Sequence, residues 1–187
     1  MGLIVMEPLR GGNLTRKIPQ EIEAIWDQAE IKRTPAEWAL RWVWNRPEVD
    51  VVLSGMNEEE HIDENLRIAD EAYPESLTEK ELQLVSKVKE TYRRLMKVGC
   101  TGCQYCMPCP EGVNIPGCLE MYNNRHMFGD ERTALIYMLR YSGVTGFPSY
   151  ASLCNDCGQC EELCPQHLPI PDLLRDVAKE FDTHLQG

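Results

Sequence analysis

Eight of the nine cysteines in this 187-residue sequence stand in two short clusters. The second cluster, CNDCGQCEELCP (154–165), has the spacing CxxCxxCxxxC followed by proline. Two intervening residues bring successive thiolates onto one small centre, and this run with its final proline is typical of a [4Fe-4S] site. A zinc site needs only two CxxC pairs, and a disulfide scaffold belongs to small secreted chains. The spacing therefore predicts iron-sulfur chemistry.

The first cluster, CTGCQYCMPCP (100–110), repeats the second with one residue fewer before its fourth cysteine. After each cluster a proline begins a predicted helix, IPGCLEMYNN or IPDLLRDVAK. The repeat predicts two [4Fe-4S] clusters per chain. The ninth cysteine, Cys118, aligns with Leu173 and is predicted to be a buried thiol. The predicted iron ligands are Cys100, Cys103, Cys106, Cys109, Cys154, Cys157, Cys160 and Cys164.

Short strands between helices are predicted only before the cysteine clusters. The apolar runs GLIVM and VDVVLSG have the pattern of buried strands. Thr34 and Thr78 each precede a glutamate by three residues, which is the capping-box signal for a helix start. The predicted elements are strands 2–6 and 49–55 and helices 19–30, 34–46, 57–72, 78–98 and 130–142. The chain is therefore predicted to be mainly α with a small α/β part, divided into segments 1–72, 73–99 (a connecting helix) and 100–187.

The cysteine-containing half of the chain and two stretches before it resemble known protein families. The second motif looks like that of two-cluster bacterial ferredoxins, and residues 100–185 resemble the helical ferredoxin-like module that ends some aldo/keto reductase family proteins. GLIVMEPLRGGNL (2–14) resembles the seventh strand and following loop of that family's (β/α)8 barrel. AEWALRWVWNRPEVDVVLSGMNEEEHIDENL (36–66) resembles its seventh helix, eighth strand and next helix. The resemblance implies the remnant of a (β/α)8 barrel C-terminus followed by an α-helical ferredoxin-like domain.

In the aldo/keto reductase family, these two stretches bind the phosphates of NADP. The family's Asp, Tyr, Lys and His tetrad lies on earlier strands, so the chain resembles a fragment that lacks the tetrad, and NADP is expected only in a complete barrel. A competing interpretation makes NEEEH (57–61) a solvated helix start, whose three carboxylates would repel a phosphate. The NADP contacts that the resemblance implies are Glu7, Leu9, Gly11, Gly55, Met56, Asn57, His61 and Asn65.

The ferredoxin resemblance also implies how the ligands are shared. In two-cluster ferredoxins the fourth cysteine of each motif binds the cluster of the other motif. By this analogy Cys164 joins the first three cysteines of the first motif, and Cys109 joins the first three of the second. In the alternative arrangement, the shortened spacing keeps Cys109 with Cys106 and its own motif.

The charge of the chain restricts its partners. A net charge of −11 argues against nucleic acid and anionic membranes. No apolar run approaches the ~20 residues of a membrane span, and no signal-peptide pattern occurs, so a cytoplasmic protein is predicted. The expected partners are a redox protein, the missing barrel segment or a second copy of the chain.

Three functions are compatible with these motifs. The first is an electron-transfer module with two [4Fe-4S] clusters. The second is an NADP-dependent carbonyl reductase of which this chain is the C-terminal part. The third is a structural or redox-sensing iron-sulfur protein without turnover. Nicotinamide binding distinguishes the first two, and reversible cluster reduction distinguishes the first from the third.

Overall fold

The computed structural model describes residues 2–182, so Met1 and the last five residues of the predicted 100–187 domain lie outside the described part. Its content is 52% helix and 4% strand, which confirms a mainly helical chain with a small α/β part. The chain folds into two compact units, residues 1–93 and 94–187. Within residues 2–182, no helix is long and apolar enough to cross a bilayer.

The first unit follows the predicted order of strand, helices, strand and helices. Its strands β1 (Leu3–Val5) and β2 (Val49–Val52) pair in parallel, with Leu3 opposite Val49 and Val5 opposite Val52. The short helix α1 is absent from the predicted elements, and α2 ends four residues earlier than predicted. The elements are β1 (Leu3–Val5), α1 (Asn13–Arg16), α2 (Gln20–Trp26), α3 (Pro35–Trp44), β2 (Val49–Val52), α4 (Glu59–Glu71) and α5 (Glu79–Leu95).

The prediction that both strands are buried is wrong for this sheet. Leu3 and Ile4 of β1 are 48% and 57% exposed, and Val51 of β2 is 43% exposed. Each strand has one hydrogen-bonded neighbour among residues 2–182, so a two-stranded sheet leaves apolar side chains uncovered. Burial of these apolar side chains would require further elements packed against the sheet.

A cluster of aromatic and aliphatic side chains holds the helices of the first unit together. Trp38 of α3 is 2% exposed and stacks on Trp26 with ring centroids 4.6 Å apart. Leu77 and Leu84 pack in the same cluster. Because α5 contributes to this core, most of the helix belongs to the unit 1–93, whereas the sequence alone predicted a separate connecting helix over 73–99.

The two predicted capping boxes differ in the structure. At α5 the prediction is confirmed, because the Thr78 hydroxyl accepts from the Glu81 N–H at 3.3 Å and the Glu81 carboxylate accepts from the Thr78 N–H at 2.8 Å. At α3 the Thr34 hydroxyl accepts from the Glu37 N–H at 3.0 Å. The Glu37 carboxylate, however, binds arginines. At α3, therefore, only one of the two hydrogen bonds of the predicted capping box forms.

Glu37 lies at the centre of an ion-pair network that joins α3 to α4. Its side chain is 10% exposed and accepts from Arg41 Nε at 2.7 Å and from Arg67 at 2.9 Å, with Arg33 Nε at 3.6 Å. Burial acts to raise the pKa of Glu37, but the hydrogen bonds and charges of Arg67 and Arg41 lower it overall. The carboxylate therefore stays ionised at neutral pH.

The second unit is a helical core with the cysteine loops on it. Leu119 of α6 (Ile115–Phe128) and both Leu174 and Val177 of α9 (Ile170–Phe181) are at most 1% exposed. Tyr137 of α7 (Arg132–Tyr141) stacks on Phe181 with ring centroids 4.6 Å apart. The helix predicted over 130–142 is present, and so is the helix predicted after each cluster. The elements are α6 (Ile115–Phe128), α7 (Arg132–Tyr141), a 3-10 turn (Ala151–Leu153), α8 (Gln159–Glu162) and α9 (Ile170–Phe181).

Candidate functional site

The cysteine loops line two cavities in the second unit. The first cysteine cavity is lined by Cys100, Cys103, Cys106 and Cys164. The second cysteine cavity is lined by Cys109, Cys154, Cys157 and Cys160, and Cys106 also reaches its wall. Each cavity thus groups three cysteines of one motif with the fourth of the other. This is the exchanged grouping implied by the ferredoxin resemblance, while the binding of iron by these residues stays a prediction.

The two loops share an unusual backbone conformation. Left-handed φ values recur at three equivalent positions of the repeat, in the pairs Gly102 (69°) and Asp156 (61°), Gln104 (65°) and Gly158 (77°), and Gly112 (76°) and His167 (51°). Half of these residues are not glycine, although the left-handed region is unfavourable for other residues. The repeat visible in the cysteine spacing is therefore also a repeat of backbone geometry.

The turn after the fourth cysteine is the same in both copies. The Gly112 N–H donates to the Cys109 carbonyl at 3.0 Å, and the His167 N–H donates to the Cys164 carbonyl at 3.0 Å. The shorter spacing before Cys109 therefore leaves this turn intact. The His167 backbone closes a turn and its side chain is exposed.

The sulfurs differ in their exposure to solvent. Cys164 is buried, Cys103 and Cys157 are exposed, and the remaining members of both cavities are half-buried. The Gly102 N–H donates to Cys100 Sγ at 3.5 Å, and the Asp156 backbone hydrogen-bonds to the Cys154 thiol at the equivalent position. Each cavity thus has one solvent-facing sulfur and a backbone hydrogen bond to a sulfur.

Burial raises the pKa of three thiols of the cavities, Cys106, Cys154 and Cys160, and so favours their protonated form when no cation is bound. Burial is the main cause that raises the pKa of Cys160 to about 11, and neighbouring cysteines raise it further. The pKa values of Cys106 and Cys154 are raised for the same reasons. Because metal ligands are thiolates, binding of a metal or cluster must release protons.

The number of cysteines in each cavity is sufficient for the four thiolates that a [4Fe-4S] cluster takes. Among residues 2–182, no group of three or more His, Cys, Asp or Glu side chains converges closely enough to hold one metal ion. A [4Fe-4S] cluster makes a different demand, because each of its four irons takes one thiolate and the sulfurs surround a volume. All nine cysteines are free thiols, so none of the predicted ligands is consumed by a disulfide.

Asn123 of α6 holds the segment that leads into the first motif. Its Oδ1 accepts from the N–H groups of Lys97 and Val98 at 2.9 Å each, and its Nδ2 donates to the Val98 carbonyl at 2.8 Å. Asn123 and Val98 are each 2% exposed. This side chain therefore satisfies backbone groups that would otherwise be buried without partners, two residues before Cys100.

Cys118 is fully buried, as the sequence predicts, and lies on α6 outside the lining of both cysteine cavities. Its Sγ is 3.7 Å from the Tyr137 hydroxyl and 3.7 Å from the Ser149 carbonyl oxygen. Burial raises the pKa of this thiol to about 12. Cys118 is therefore a protonated core residue.

All eight residues that the resemblance implies for NADP line a single cavity of the first unit. This nucleotide cavity has a volume of about 710 Å³ and lies between the loop after β1, the loop after β2 and the start of α4. The members are Glu7, Leu9, Gly11, Gly55, Met56, Asn57, His61 and Asn65. The tertiary structure thus joins two sequence stretches about forty residues apart, while nucleotide binding itself stays a prediction.

The wall of the nucleotide cavity carries mixed charge. Arg16 lies beside Gly12, so close that a Cβ added to the glycine would be 3.5 Å from the Arg16 Nε. Glu64 on the same wall accepts a hydrogen bond from the Thr34 hydroxyl at 2.6 Å. Asn65 donates to Ser54 Oγ at 3.2 Å, so it is already partly engaged. The described lining thus contains a cationic side chain, Arg16, that can attract an anion, and two carboxylates, Glu7 and Glu64, that repel one.

Two important residues of the second unit were not identified from the sequence. A buried asparagine inside a helix, as at Asn123, has no spacing signal that separates it from surface asparagines. Asp156 did leave a signal, because it aligns with Gly102 in the other copy. An aspartate at a position where the other copy of the repeat has glycine indicates a residue with left-handed backbone conformation.

Comparison with protein families divides the chain in the same way. Residues 1–90 match the aldo/keto reductase family, and residues 99–168 match the 4Fe-4S dicluster domain. Searches of curated proteins and of solved structures gave no significant match. The dicluster match supports iron-sulfur clusters as cofactors, and the two matches together indicate an iron-sulfur oxidoreductase type of function. The chain therefore has one region that matches the aldo/keto reductase family and another that matches the 4Fe-4S dicluster domain, the combination that its sequence predicted.

Proposed function

We propose that residues 94–187 form an electron-transfer module that binds two [4Fe-4S] clusters. The observation that carries the proposal is the pair of cavities, one lined by four cysteines and the other by five, in each case from both motifs. The first cysteine cavity would bind one cluster and the second would bind the other. When bound, a [4Fe-4S] cluster accepts and donates one electron at a time.

The surrounding residues have defined tasks in this proposal. The apolar core beneath the cavities, including Ile115, Leu119 and Leu174, shields one side of each cavity from water. The exposed Cys103 and Cys157 mark the sides where a redox partner protein can approach. The N–H groups of Gly102 and Asp156 stabilise negative charge on sulfur.

Cluster content is the first test. An anaerobic preparation of the chain should contain about eight irons and about eight sulfides, because each [4Fe-4S] site takes four of each. EPR after dithionite reduction should show reduced clusters, and reoxidation should restore the starting spectrum. A reproducible value near four irons would limit the proposal to one cavity. Clusters that cannot be reduced and reoxidised would instead support the structural role.

The exchange of fourth ligands has its own test. In the exchanged arrangement, Cys164→Ser alters the cluster that Cys100, Cys103 and Cys106 hold and leaves the ligands of the other cluster in place. Cys118→Ser is the matched control, because this cysteine lies outside both cavities. If Cys164→Ser changes only the EPR signal that Cys157→Ser also changes, each motif binds its own cluster and the exchange is wrong.

A second candidate function rests on the nucleotide cavity. The gathering of eight expected NADP contacts favours a nicotinamide site, and hence a carbonyl reductase of which this chain is one part. Tryptophan fluorescence can follow NADPH binding, because all four tryptophans lie in residues 1–93. Saturable quenching that His61→Ala weakens supports the site. We expect no carbonyl reduction by the chain alone, and turnover by the purified chain would contradict the assignment of the tetrad to other segments.

The exposed sheet supports a further element of this second candidate. Leu3, Ile4, Val51 and Leu53 present apolar surface on and beside two paired strands, and a barrel requires eight strands. We propose that other barrel strands or a partner subunit cover this surface. Addition of the complementary barrel segment should protect the amides of β1 and β2 from hydrogen exchange, and unchanged exchange would argue against the proposal.

A further inference from the structure

The two cysteine cavities have matching backbones but unequal charge. Gly102 and Asp156 occupy equivalent positions, two residues after the first cysteine of each motif, with φ values of 69° and 61°. The backbone of each hydrogen-bonds to the sulfur of that first cysteine. The two positions therefore differ mainly in that one carries a carboxylate and the other carries no side chain.

The difference extends along the whole of the loops. The segments that supply the first cysteine cavity, 100–106 and 164–168, contain no Asp, Glu, Lys or Arg. The segments that supply the second, 109–112 and 154–163, contain four carboxylates, namely Glu111, Asp156, Glu161 and Glu162. Negative charge is thus concentrated in the segments that supply the cysteines of the second cavity.

Asp156 is the one of these four carboxylates that lies in sequence between two cysteines of the second cavity. It stands between the cavity residues Cys154 and Cys157, and its backbone hydrogen-bonds to the Cys154 thiol. Arg175 of α9 pairs with Asp156 at 2.5 Å but also with Asp172. One guanidinium therefore faces two carboxylates, and the group keeps a net negative charge.

We propose that Asp156 gives a cluster in the second cysteine cavity a lower reduction potential than a cluster in the first. Reduction adds one electron to the cluster, and a fixed negative charge nearby makes that addition less favourable. The potential of an iron-sulfur cluster responds to local charge, to hydrogen bonds on sulfur and to exposure. Each cavity has one exposed cysteine and one backbone hydrogen bond to the sulfur of its first cysteine. The fourth cysteine is buried in the first cavity and half-buried in the second, and fixed charge is the other difference between the two. This inference rests on the proposed binding of two clusters.

The repeat supplies a reciprocal experiment. Asp156→Asn removes the charge and keeps a residue that tolerates left-handed backbone. Gly102→Asp adds the charge at the equivalent position, where a Cβ meets no atom within 4 Å and the other copy already holds an aspartate in this conformation. Gly102→Asn is the uncharged control. The full-length chain is prepared anaerobically with its clusters and titrated potentiometrically, with both clusters followed by EPR.

The wild-type chain should show two midpoint potentials. Asp156→Asn should raise the lower potential and leave the higher one unchanged, whereas Gly102→Asp should lower the higher one and Gly102→Asn should not. The gap between the two potentials should narrow as salt is added, because charges with exposed fractions near one half are screened. The signal of the second cavity is identified independently by its change in Cys157→Ser.

Arg175→Gln should shift the lower potential in the opposite direction to Asp156→Asn, and Arg175 lies at an exposed position. Loss of the guanidinium leaves Asp156 uncompensated, so the lower potential should fall further. Two equal potentials in the wild-type chain, or equal shifts of both potentials in Asp156→Asn, would overturn the inference. Iron content near eight with such a result would leave cluster binding intact, whereas a chain that binds no clusters would contradict the proposed function itself.

Discussion

Asn123→Ala should destabilise the second unit strongly, because Asn123 makes three hydrogen bonds to the backbone of residues 97 and 98. A buried hydrogen bond contributes about 1 kcal/mol, and an orphaned buried group costs about 1–3 kcal/mol. The three bonds together correspond to about 3 kcal/mol. With a urea m-value of about 2 kcal/mol/M, the midpoint should fall by about 1.5 M.

The assay can separate the two units by their chromophores. All four tryptophans lie in residues 1–93, so their fluorescence follows the first unit, while iron-sulfur absorbance follows the second. Cluster loss is irreversible, and variants must therefore be compared after equal times in urea. Asn123→Ala should lower the midpoint of cluster loss and leave the tryptophan transition in place.

Asn124→Ala is the matched control on the same helix. Asn124 is 7% exposed, but its Oδ1 has no hydrogen-bond partner among residues 2–182. Its removal should therefore cost about 1 kcal/mol or less. Equal midpoints for the two variants, or a tryptophan transition that shifts with cluster loss in Asn123→Ala, would refute the idea that Asn123 anchors the first motif.

Other predictions concern the first unit and the ninth cysteine. Glu37→Gln should destabilise the first unit by about 3 kcal/mol, because it removes the buried carboxylate that Arg33, Arg41 and Arg67 share. Glu30→Gln, which removes an exposed ion pair, should have no resolvable effect on the tryptophan transition. Since the folded pKa of Glu37 is lowered, its stabilisation is complete above the unfolded value near 4.5 and is lost as pH falls through the folded value. Acid titration of tryptophan fluorescence should show this loss in the wild-type chain and a weaker pH dependence in Glu37→Gln. Cys118→Ala should keep the full iron content, and a loss of about half the iron would show that Cys118 is a ligand after all.

Several features of the fold could be predicted from local sequence because local chemistry determines them. Thr78 and Glu81 form the expected capping box, since both partners lie within one helical turn. The helix after each cluster begins at an Ile-Pro pair, where proline suits the first turn. The Glu37 carboxylate does not complete its predicted capping box, because Arg41 of α3 and Arg67 of α4 bind it instead. The contact with Arg67 joins two helices, so it could not be predicted from the local sequence of α3.

The sequence by itself predicted the iron-sulfur chemistry of this protein, and the tertiary structure decided which cysteines line the same cavity. Thiol type and spacing predict a [4Fe-4S] site, because those ligands are close along the chain. Whether Cys109 lies with its own motif or with the other depends on how α6 and α9 pack, and this packing puts it on the wall of the second cysteine cavity. The strands show the converse case. Their apolar runs predict burial, but exposure depends on neighbouring strands, and two paired strands leave Ile4 and Val51 uncovered.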